Sequence, residues 1–514
     1  MSTIKTLFKT FAVVTTLSIA ERFIGFLYRI ILSRALGSES LGIYQIALSI
    51  FGVLVTVTSS GIPLTVSRFM QKYRAENQPH KVHQVITAGI AIAFIFSLPV
   101  ILLLTLCGGA FSFLFSDPRS QTIFHIMIPG LMFTSIYAVL RGVFWGNKDF
   151  VPYSIIELVE EIVMVVCGVL LVTHATDAFQ GAKRAALSIV ISYVVSFCLA
   201  VAVFFIKGGK LARPKNQFRP LLASALPITG MRTANSAVSS LIAVLLPARL
   251  IRAGMTGSEA LSAFGASFGM AIPLLFIPSS IIGSLALILV PELSENYYAG
   301  RTAALKNNVE KALRASILIA GFIVPVFFSL GKEIGLTVYG NETAGAFLSL
   351  ASPVMFPMCL MMISQSLLNS MGKEKQTLVH YLIGAAITLL CVLVLPYLVG
   401  THALSIGFFL SYSVTALLNL RKIEVLCPAI NYRPYILRCL LLSIPPTVFG
   451  LLLKGVFTSL LGTTFCAVLG AIAVAAFTAV EYFTTGTIDI RQLQPHLGFL
   501  SGRKKKKHTT TKLS

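Results

Sequence analysis

The feature that most constrains this chain is a series of apolar runs, each of 18 or more residues, that recurs along nearly its whole length. Such a run is long enough to cross the hydrocarbon core of a bilayer as a helix. Because lipid offers no hydrogen bonds to the backbone, a spanning segment must be a helix or part of a closed barrel. Strands of alternating polarity do not occur in the sequence, which therefore predicts an all-α integral membrane protein.

The composition excludes several other classes of protein. Charged residues make up 12% of the 514 residues, against about a quarter in soluble domains. The net charge of +22 lies in short loops and at the C-terminus, so nucleic acid is not expected as a partner. No phosphate-binding loop, metal-ligand spacing or nucleophile motif appears. We therefore expect no enzyme, no cofactor, no metal and no ATP hydrolysis.

The apolar runs predict fourteen spans. Lys5 and Lys9 stand ahead of the first apolar run, as in a signal peptide, but this run is interpreted as an uncleaved first span. Most of the 41 Lys and Arg fall in the loops on the side of the N-terminus. The positive-inside rule therefore predicts a multi-pass protein of the cell membrane with both termini in the cytoplasm. The predicted spans are 8–35, 41–68, 84–107, 121–141, 151–173, 185–206, 219–248, 260–291, 313–331, 345–370, 377–399, 402–420, 435–454 and 461–483.

The two halves of the chain resemble each other weakly. Parallel repeats of six spans are a transporter architecture, with the substrate site between the halves near the membrane midplane. We therefore predict two pseudo-symmetric six-helix lobes, 1–207 and 218–420, two additional helices in 435–483 and a polybasic cytoplasmic tail in 503–514. The matching segments are 38–41 with 258–261, 63–67 with 291–294, and 146–148 with 372–373.

Ionisable residues inside the predicted spans mark candidate sites, because such groups are costly in lipid and face a cavity or a partner. A cationic lining suits an anionic head group, since guanidinium binds phosphate through paired hydrogen bonds. The candidates for substrate binding are Arg22, Arg29, Arg232, Arg68 and Arg141, and those for charge coupling or the cavity are Glu21, Glu157, Glu160 and Glu161.

These residues also have structural interpretations. Arg22 and Arg29 could pair with Glu157 or Glu160 and only hold helices together. Arg68 and Arg141 lie near predicted span ends, where arginines reach toward the interface and set topology. For Arg29, Arg232 and Glu160 we favour a functional role, because buried ion pairs are poor stabilisers.

Several short segments resemble those of the MATE-like polysaccharide transporters, which belong to the multidrug/oligosaccharidyl-lipid/polysaccharide exporter superfamily. Within this superfamily, the resemblance is strongest to the stage V sporulation protein B branch. They cover roughly residues 20–300. The segments are RFIGF at 22–26, RALG at 34–37, GIY at 42–44, GIP at 61–63, SR at 67–68, LRG at 140–142, GN at 146–147, LP at 226–227, GMR at 230–232, PS at 278–279 and LVPELS at 289–294.

The resemblance implies two six-helix lobes around a central cavity and outward flipping of an undecaprenyl-pyrophosphate-linked saccharide. In the sporulation branch it implies a role in spore cortex peptidoglycan, and Arg22 matches a cavity arginine of the family. The chain departs from the related lipid II flippases in two ways. Arg29 is displaced by one position from their second charged residue of the first span, and no charge lies between Phe264 and Leu289, where Arg232 is expected to substitute.

The leading interpretation is thus a flippase whose partners are a lipid-linked saccharide, membrane lipids and, as a further expectation, cell-wall synthases. A cation-coupled multidrug exporter of the same fold is one alternative. A non-transporting membrane scaffold for cell-wall synthesis is another. A membrane glycosyltransferase fits less well, since no aqueous loop carries the needed carboxylates.

Overall fold

The computed structural model describes residues 2–106, 108–277, 279–428 and 430–487. Within these ranges the chain is helical throughout, without a strand. This confirms the predicted all-α membrane fold. The predicted polybasic tail at 503–514 lies outside the described residues.

Nineteen α-helices account for nearly all of the described chain. They are joined by short turns, by 3-10 turns at Gly108–Leu114 and Ser352–Val354, and by a π-helical turn at Gly265–Ala271. The helices are α1 Ser2–Ser59, α2 Ile62–Ala75, α3 Pro79–Leu106, α4 Pro118–Met127, α5 Gly130–Asn147, α6 Phe150–Thr173, α7 Ala178–Ile206, α8 Phe218–Arg252, α9 Gly257–Phe264, α10 Ile272–Leu275, α11 Ser279–Tyr298, α12 Thr302–Tyr339, α13 Glu342–Ala351, α14 Met355–Ser370, α15 Glu374–Val394, α16 Pro396–Val399, α17 His402–Leu426, α18 Arg433–Leu442 and α19 Ile444–Thr484.

Two of the longest helices turn sharply at a glycine. Gly37 in α1 has φ +69° and Gly462 in α19 has φ +79°, a region that glycine enters without the steric cost of a side chain. Without a bend, the 58 residues of α1 would extend about 87 Å, nearly three times the hydrocarbon thickness. The Gly37 bend therefore lies at one membrane surface, which the charge pattern predicts to be the outer one.

The predicted eighth span, 260–291, is divided in the structure. Its chain runs through α9, the π-helical turn, α10 and α11. Gly265 and Gly269 within the π-helical turn, together with Pro273 just after it, explain the irregularity, because glycine and proline weaken a regular α-helix. A π-helical turn within a helix is uncommon and often marks a functional site.

Among the described residues, eleven helical segments are long and apolar enough to cross a membrane, or twelve if α4 and α5, bent by 46°, form one span. The predicted count of fourteen is not confirmed and stays a prediction. Two features account for the difference: Thr16–Ala75 forms one helical segment of 60 residues where two spans are predicted, and α6 carries three glutamates among its apolar residues.

Four helices begin with a side-chain cap. Asp117, Asp177, Thr256 and Asn341 each accept a hydrogen bond from a backbone N–H in the first turn of the following helix. Such caps satisfy donors that a helix start leaves unpaired. All four lie in loops on the predicted outer side, where the sequence holds few Lys and Arg.

Helix α1 is the centre of the packing. It contacts α6 and α7 on one side and α8 and α9 on the other. Helices α2, α3 and α5 form a second packed group, while α12 packs against α13, α14 and α19. The borders of the two lobes remain a prediction. The candidate functional site lies where α1 meets α6 and α7 on one side and the segment from Phe268 to Ile277 on the other.

Candidate functional site

A cavity of about 620 Å³ lies between α1, α6 and α7 on one side and the segment from Phe268 to Ile277 on the other. Its lining combines apolar and aromatic side chains with a few polar groups from α1 and α6. A pocket of this size that carries few, defined polar groups is typical of a small-molecule or head-group site.

Arg22, Arg29 and Glu161 all line this cavity. The two arginines are seven residues apart, which places them on one face of α1 about 10 Å apart along its axis. Glu161 of α6 packs against Gly25, one turn from each arginine: a methyl group built on Gly25 would lie 2.5 Å from Glu161 Oε1. Gly25 thus makes room for a carboxylate between the two guanidinium groups.

Neither arginine forms an ion pair in the part of the chain that the structure describes: no described carboxylate oxygen lies within 4.0 Å of either guanidinium group. The alternative in which Arg22 and Arg29 pair with Glu157 or Glu160 therefore does not describe this structure. Both arginines line the cavity, and Glu161 is the one carboxylate among its described lining residues.

The other predicted acidic residues lie outside the cavity lining. Arg141 Nη1 of α5 is 3.3 Å from Glu157 Oε1 of α6, and its guanidinium carbon is 5.6 Å from the centre of the Trp145 ring. Glu160 has a buried Oε2 atom without a hydrogen-bond partner in the described part of the chain. Glu21 is close enough to Glu157 for the two charges to interact. These groups form a polar cluster behind the cavity, between α1, α5 and α6.

Arg68 and Arg232 lie at the contact between α8 and the junction of α1 with α2. Arg68 donates to the Ser224 hydroxyl, and Arg232 Nη1 donates to the Ser60 carbonyl at 3.0 Å. Neither residue lines the cavity. The structure thus separates the five predicted arginines into two at the cavity, Arg22 and Arg29, and three at helix contacts.

Several cavity residues were not predicted from the sequence. Tyr44 and Gln45 of α1, Tyr193 of α7 and Phe268 of the π-helical turn contribute to the lining. Gln45 is an amide within an otherwise apolar run, and that polarity was a usable signal. The aromatic residues carried none, because aromatic residues at helical spacing are usually core.

The two sets of helices touch closely beyond the cavity, at the end that bears Gly37. A methyl group on Gly42 would lie 2.2 Å from the Leu261 carbonyl oxygen, and one on Gly265 would lie 1.8 Å from the Ser38 carbonyl oxygen. The hydroxyls of Ser38 and Ser262 are hydrogen-bonded at 2.5 Å. Backbones can approach this closely only where side chains are small, as in other membrane helix contacts. In this structure the cavity is closed at the Gly37 end.

Charged groups reinforce this closure. Glu39 accepts a hydrogen bond from Arg119 Nη2 at 2.7 Å and another from the Ser258 hydroxyl at 2.6 Å. Arg119 also pairs with Asp117 at 2.9 Å. Because Glu39 follows the bend of α1 and Ser258 begins α9, the Glu39 carboxylate joins the two sides directly.

A second large cavity, of about 590 Å³, is lined by α12, α14, α17, α18 and α19. Its walls are almost wholly apolar, with Ser413, Ser443 and Thr447 the only hydroxyl-bearing lining residues in the described ranges. Such a cavity suits a hydrocarbon chain. These two cavities, one with charged groups and one apolar, both lie among helices of membrane-spanning length.

A polytopic helical bundle with a charged cavity between two sets of helices defines a membrane transporter. The chain belongs to the polysaccharide biosynthesis protein family, whose match covers residues 7–297. It has the fold of the multidrug/oligosaccharidyl-lipid/polysaccharide exporter superfamily, and the resemblance found in the sequence is confirmed.

Relatives in Bacillus subtilis (strain 168) point in the same direction. The chain is 24% identical to stage V sporulation protein B over 397 residues, covering 74% of this chain and 76% of the relative. It is 22% identical to the lipid II flippase MurJ over 473 residues, covering 84% of this chain and 85% of the relative. The chain is therefore a multi-pass membrane protein of the flippase and transporter class.

Two solved structures share the fold. The lipid II flippase MurJ in an inward closed conformation matches with a TM-score of 0.71 and 14% identity, over 92% of this chain and 100% of that one. An inward-facing multidrug resistance MATE family transporter matches with a TM-score of 0.66 and 14% identity, over 80% of this chain and 96% of that one.

Proposed function

We propose that the chain flips an undecaprenyl-pyrophosphate-linked saccharide across the cytoplasmic membrane by alternating access, with lipid II as the substrate and spore cortex peptidoglycan as its use. The observation that carries this proposal is the pair Arg22 and Arg29, two charges that face a membrane cavity without an ion-pair partner among the described residues.

The chemistry of guanidinium explains why this pair suits a diphosphate. An arginine remains charged in a low-dielectric site and offers a planar set of donors that matches phosphate oxygens. An unpaired charge among membrane helices is costly unless a ligand or water compensates it. A cavity that keeps two such charges is therefore suited to an anionic ligand.

The apolar cavity supports a ligand with a lipid tail. It lies among α12, α14 and the last helices α18 and α19, at a distance in the fold from Arg22 and Arg29. A substrate with a charged head and a long hydrocarbon chain needs both kinds of surface. The names of the relatives, stage V sporulation protein B and lipid II flippase, add weight to the same substrate.

The test is lipid movement in vesicles reconstituted with the full chain. Fluorescent lipid II and a fluorescent phosphatidylcholine are placed in one leaflet, and their arrival in the other is measured. We expect protein-dependent movement of lipid II alone. Equal movement of both lipids, or of neither, would contradict the proposal.

One observation favours a second candidate, a cation-coupled multidrug exporter. Glu161 places a carboxylate in the same cavity, and the fold is shared with multidrug transporters. Such an exporter would expel a cationic dye from the same vesicles under an ion gradient. Dye export without lipid II movement would favour this candidate over the flippase.

A further inference from the structure

A third, smaller cavity of about 130 Å³ lies where α2, α5 and α7 end and α3 begins. It is at the end of the molecule opposite Gly37, on the predicted cytoplasmic side, and shares no lining residue with the two larger cavities. Its polar lining consists of Arg74, His83, Asn147 and Lys207. No carboxylate lines it within the described ranges.

The cationic groups of this pocket keep donors to spare. Arg74 donates to the Gly146 carbonyl at 2.9 Å and to the Asn147 side chain, which uses two of its five N–H donors. Lys207 pairs with Asp149 at 2.8 Å, which leaves two of its three ammonium protons. One carboxylate, that of Asp149, is therefore paired with one of the two cationic side chains of this pocket.

His83 adds a further nitrogen-bearing side chain to the lining. Its Nδ1 atom is buried and has no hydrogen-bond partner among the described residues. The imidazole lies beside Arg74 and Lys207 in the lining. An anion in the pocket would accept hydrogen bonds from the remaining donors of Arg74 and Lys207.

The surroundings of the pocket fit a membrane surface. Phe205 and Ile206, the two residues before Lys207, are 54% and 83% exposed. Large exposed apolar side chains at a helix end next to cationic groups match the boundary between acyl chains and phosphates. A lipid could thus place its phosphate among the cations and its chains against Ile206.

We propose that this pocket binds the phosphate of a phosphate ester, with an anionic phospholipid of the inner leaflet as the source that the neighbouring apolar residues favour. This site is independent of the proposed flippase substrate, because it lies outside the charged cavity. Bound lipid would join the ends of α2, α5 and α7 through Arg74 and Lys207.

The single tryptophan of the chain makes a direct assay possible. Trp145 precedes Gly146, whose carbonyl accepts from Arg74. The full-length protein is reconstituted in phosphatidylcholine, and Trp145 fluorescence is recorded as brominated phosphatidylglycerol or brominated phosphatidylcholine is added. Inorganic phosphate, added at millimolar concentration in a parallel series, distinguishes a lipid phosphate from a free one.

We expect phosphatidylglycerol to quench at lower mole fraction than phosphatidylcholine. In the double variant Arg74→Gln and Lys207→Gln this preference should fall about tenfold, the loss of at least one charge-assisted hydrogen bond. Lys72→Gln is the matched control, since it removes a charge from the same helix outside the pocket lining. Unchanged quenching by phosphatidylcholine and an unchanged melting temperature show that the double variant is folded.

The outcomes separate clearly. Loss of the preference in the double variant, without competition by phosphate, supports a lipid ligand, whereas competition by phosphate supports the same pocket with a soluble phosphate ester. If the unmodified protein shows no preference, or if Lys72→Gln loses as much as the double variant, the proposal is overturned. The single variant Lys207→Gln serves the same test if the double variant does not fold.

Discussion

Replacing Arg29 by glutamine removes one of the two cationic groups that line the cavity while keeping a polar side chain that still fits α1. Because Arg29 makes no ion pair with a described carboxylate, the replacement leaves no acidic partner behind. Its effect on the free protein should therefore be small, and its effect should appear when an anionic ligand binds. Arg22→Gln is the companion variant on the same helix face.

The expected magnitude follows from one lost hydrogen bond to a charged group, about 1.5 to 3 kcal/mol. This corresponds to a fall in affinity of about tenfold to about a hundredfold, since each factor of ten is about 1.4 kcal/mol. If the two arginines bind separate phosphates, the affinity of the double variant should fall by the product of the two single-variant factors. A smaller combined loss would mean that they share one group, because neighbouring sites are not additive.

The assay is equilibrium binding of fluorescent lipid II to purified protein in lipid nanodiscs, followed by flipping in vesicles. Arg252→Gln, an exposed arginine at the end of α8 outside the cavity, controls for a general loss of positive charge. If Arg29→Gln binds lipid II as tightly as the unmodified protein, or if Arg252→Gln loses as much, the cavity does not hold the head group.

Three further outcomes are expected. Gly265→Ala, which would place a methyl group 1.8 Å from the Ser38 carbonyl oxygen, should open the contact at the Gly37 end, raise hydrogen–deuterium exchange in α9 and slow flipping at least about fivefold, which corresponds to an overpacking cost of about 1 to 3 kcal/mol; Gly52→Ala, with open space around it, should have none of these effects. Lys454→Met leaves the Glu333 carboxylate, 2.9 Å from the Lys454 ammonium and 8% exposed, without its partner, and should lower the free energy of unfolding by about 3 to 5 kcal/mol; a thermal unfolding curve in detergent checks this, and a melting temperature unchanged from the unmodified protein would refute it. Glu161→Gln should increase lipid II affinity several-fold by removing a like charge, whereas it should abolish any export of a cationic dye; lower lipid II affinity would show that the carboxylate helps to bind the substrate.

The membrane fold could be predicted from the sequence because the length of apolar runs and the placement of charges are local signals. Arg22 and Arg29 could be placed on one face by their spacing alone, and both line the cavity. The partner of each group could not be predicted. Spacing shows that Glu157 and Glu161 share a face of α6, but only the packing of α1 against α6 sends Glu161 to the cavity and Glu157 to Arg141.

The interruption of the predicted eighth span could not be predicted from hydropathy either. Apolar content is continuous from Ala260 to Leu289, so the pattern predicts one helix. The π-helical turn at Gly265–Ala271 depends on contact with Ser38 and on two glycines whose role is visible only when the partner backbone is present. Long-range packing decided what local sequence could not.

That turn belongs to two surfaces at once. Gly265 at its start presses on the Ser38 backbone where the Gly37 end is closed, while Phe268 and Gly269 form part of the cavity wall. A ligand that moves Phe268 therefore also strains the closed contact at the Gly37 end. Binding of a ligand in the cavity and closure of that end are thus energetically coupled. Thermodynamic reciprocity then applies. If opening of the Gly37 end changes the ligand affinity by some factor, binding of the ligand must change the opening equilibrium by the same factor.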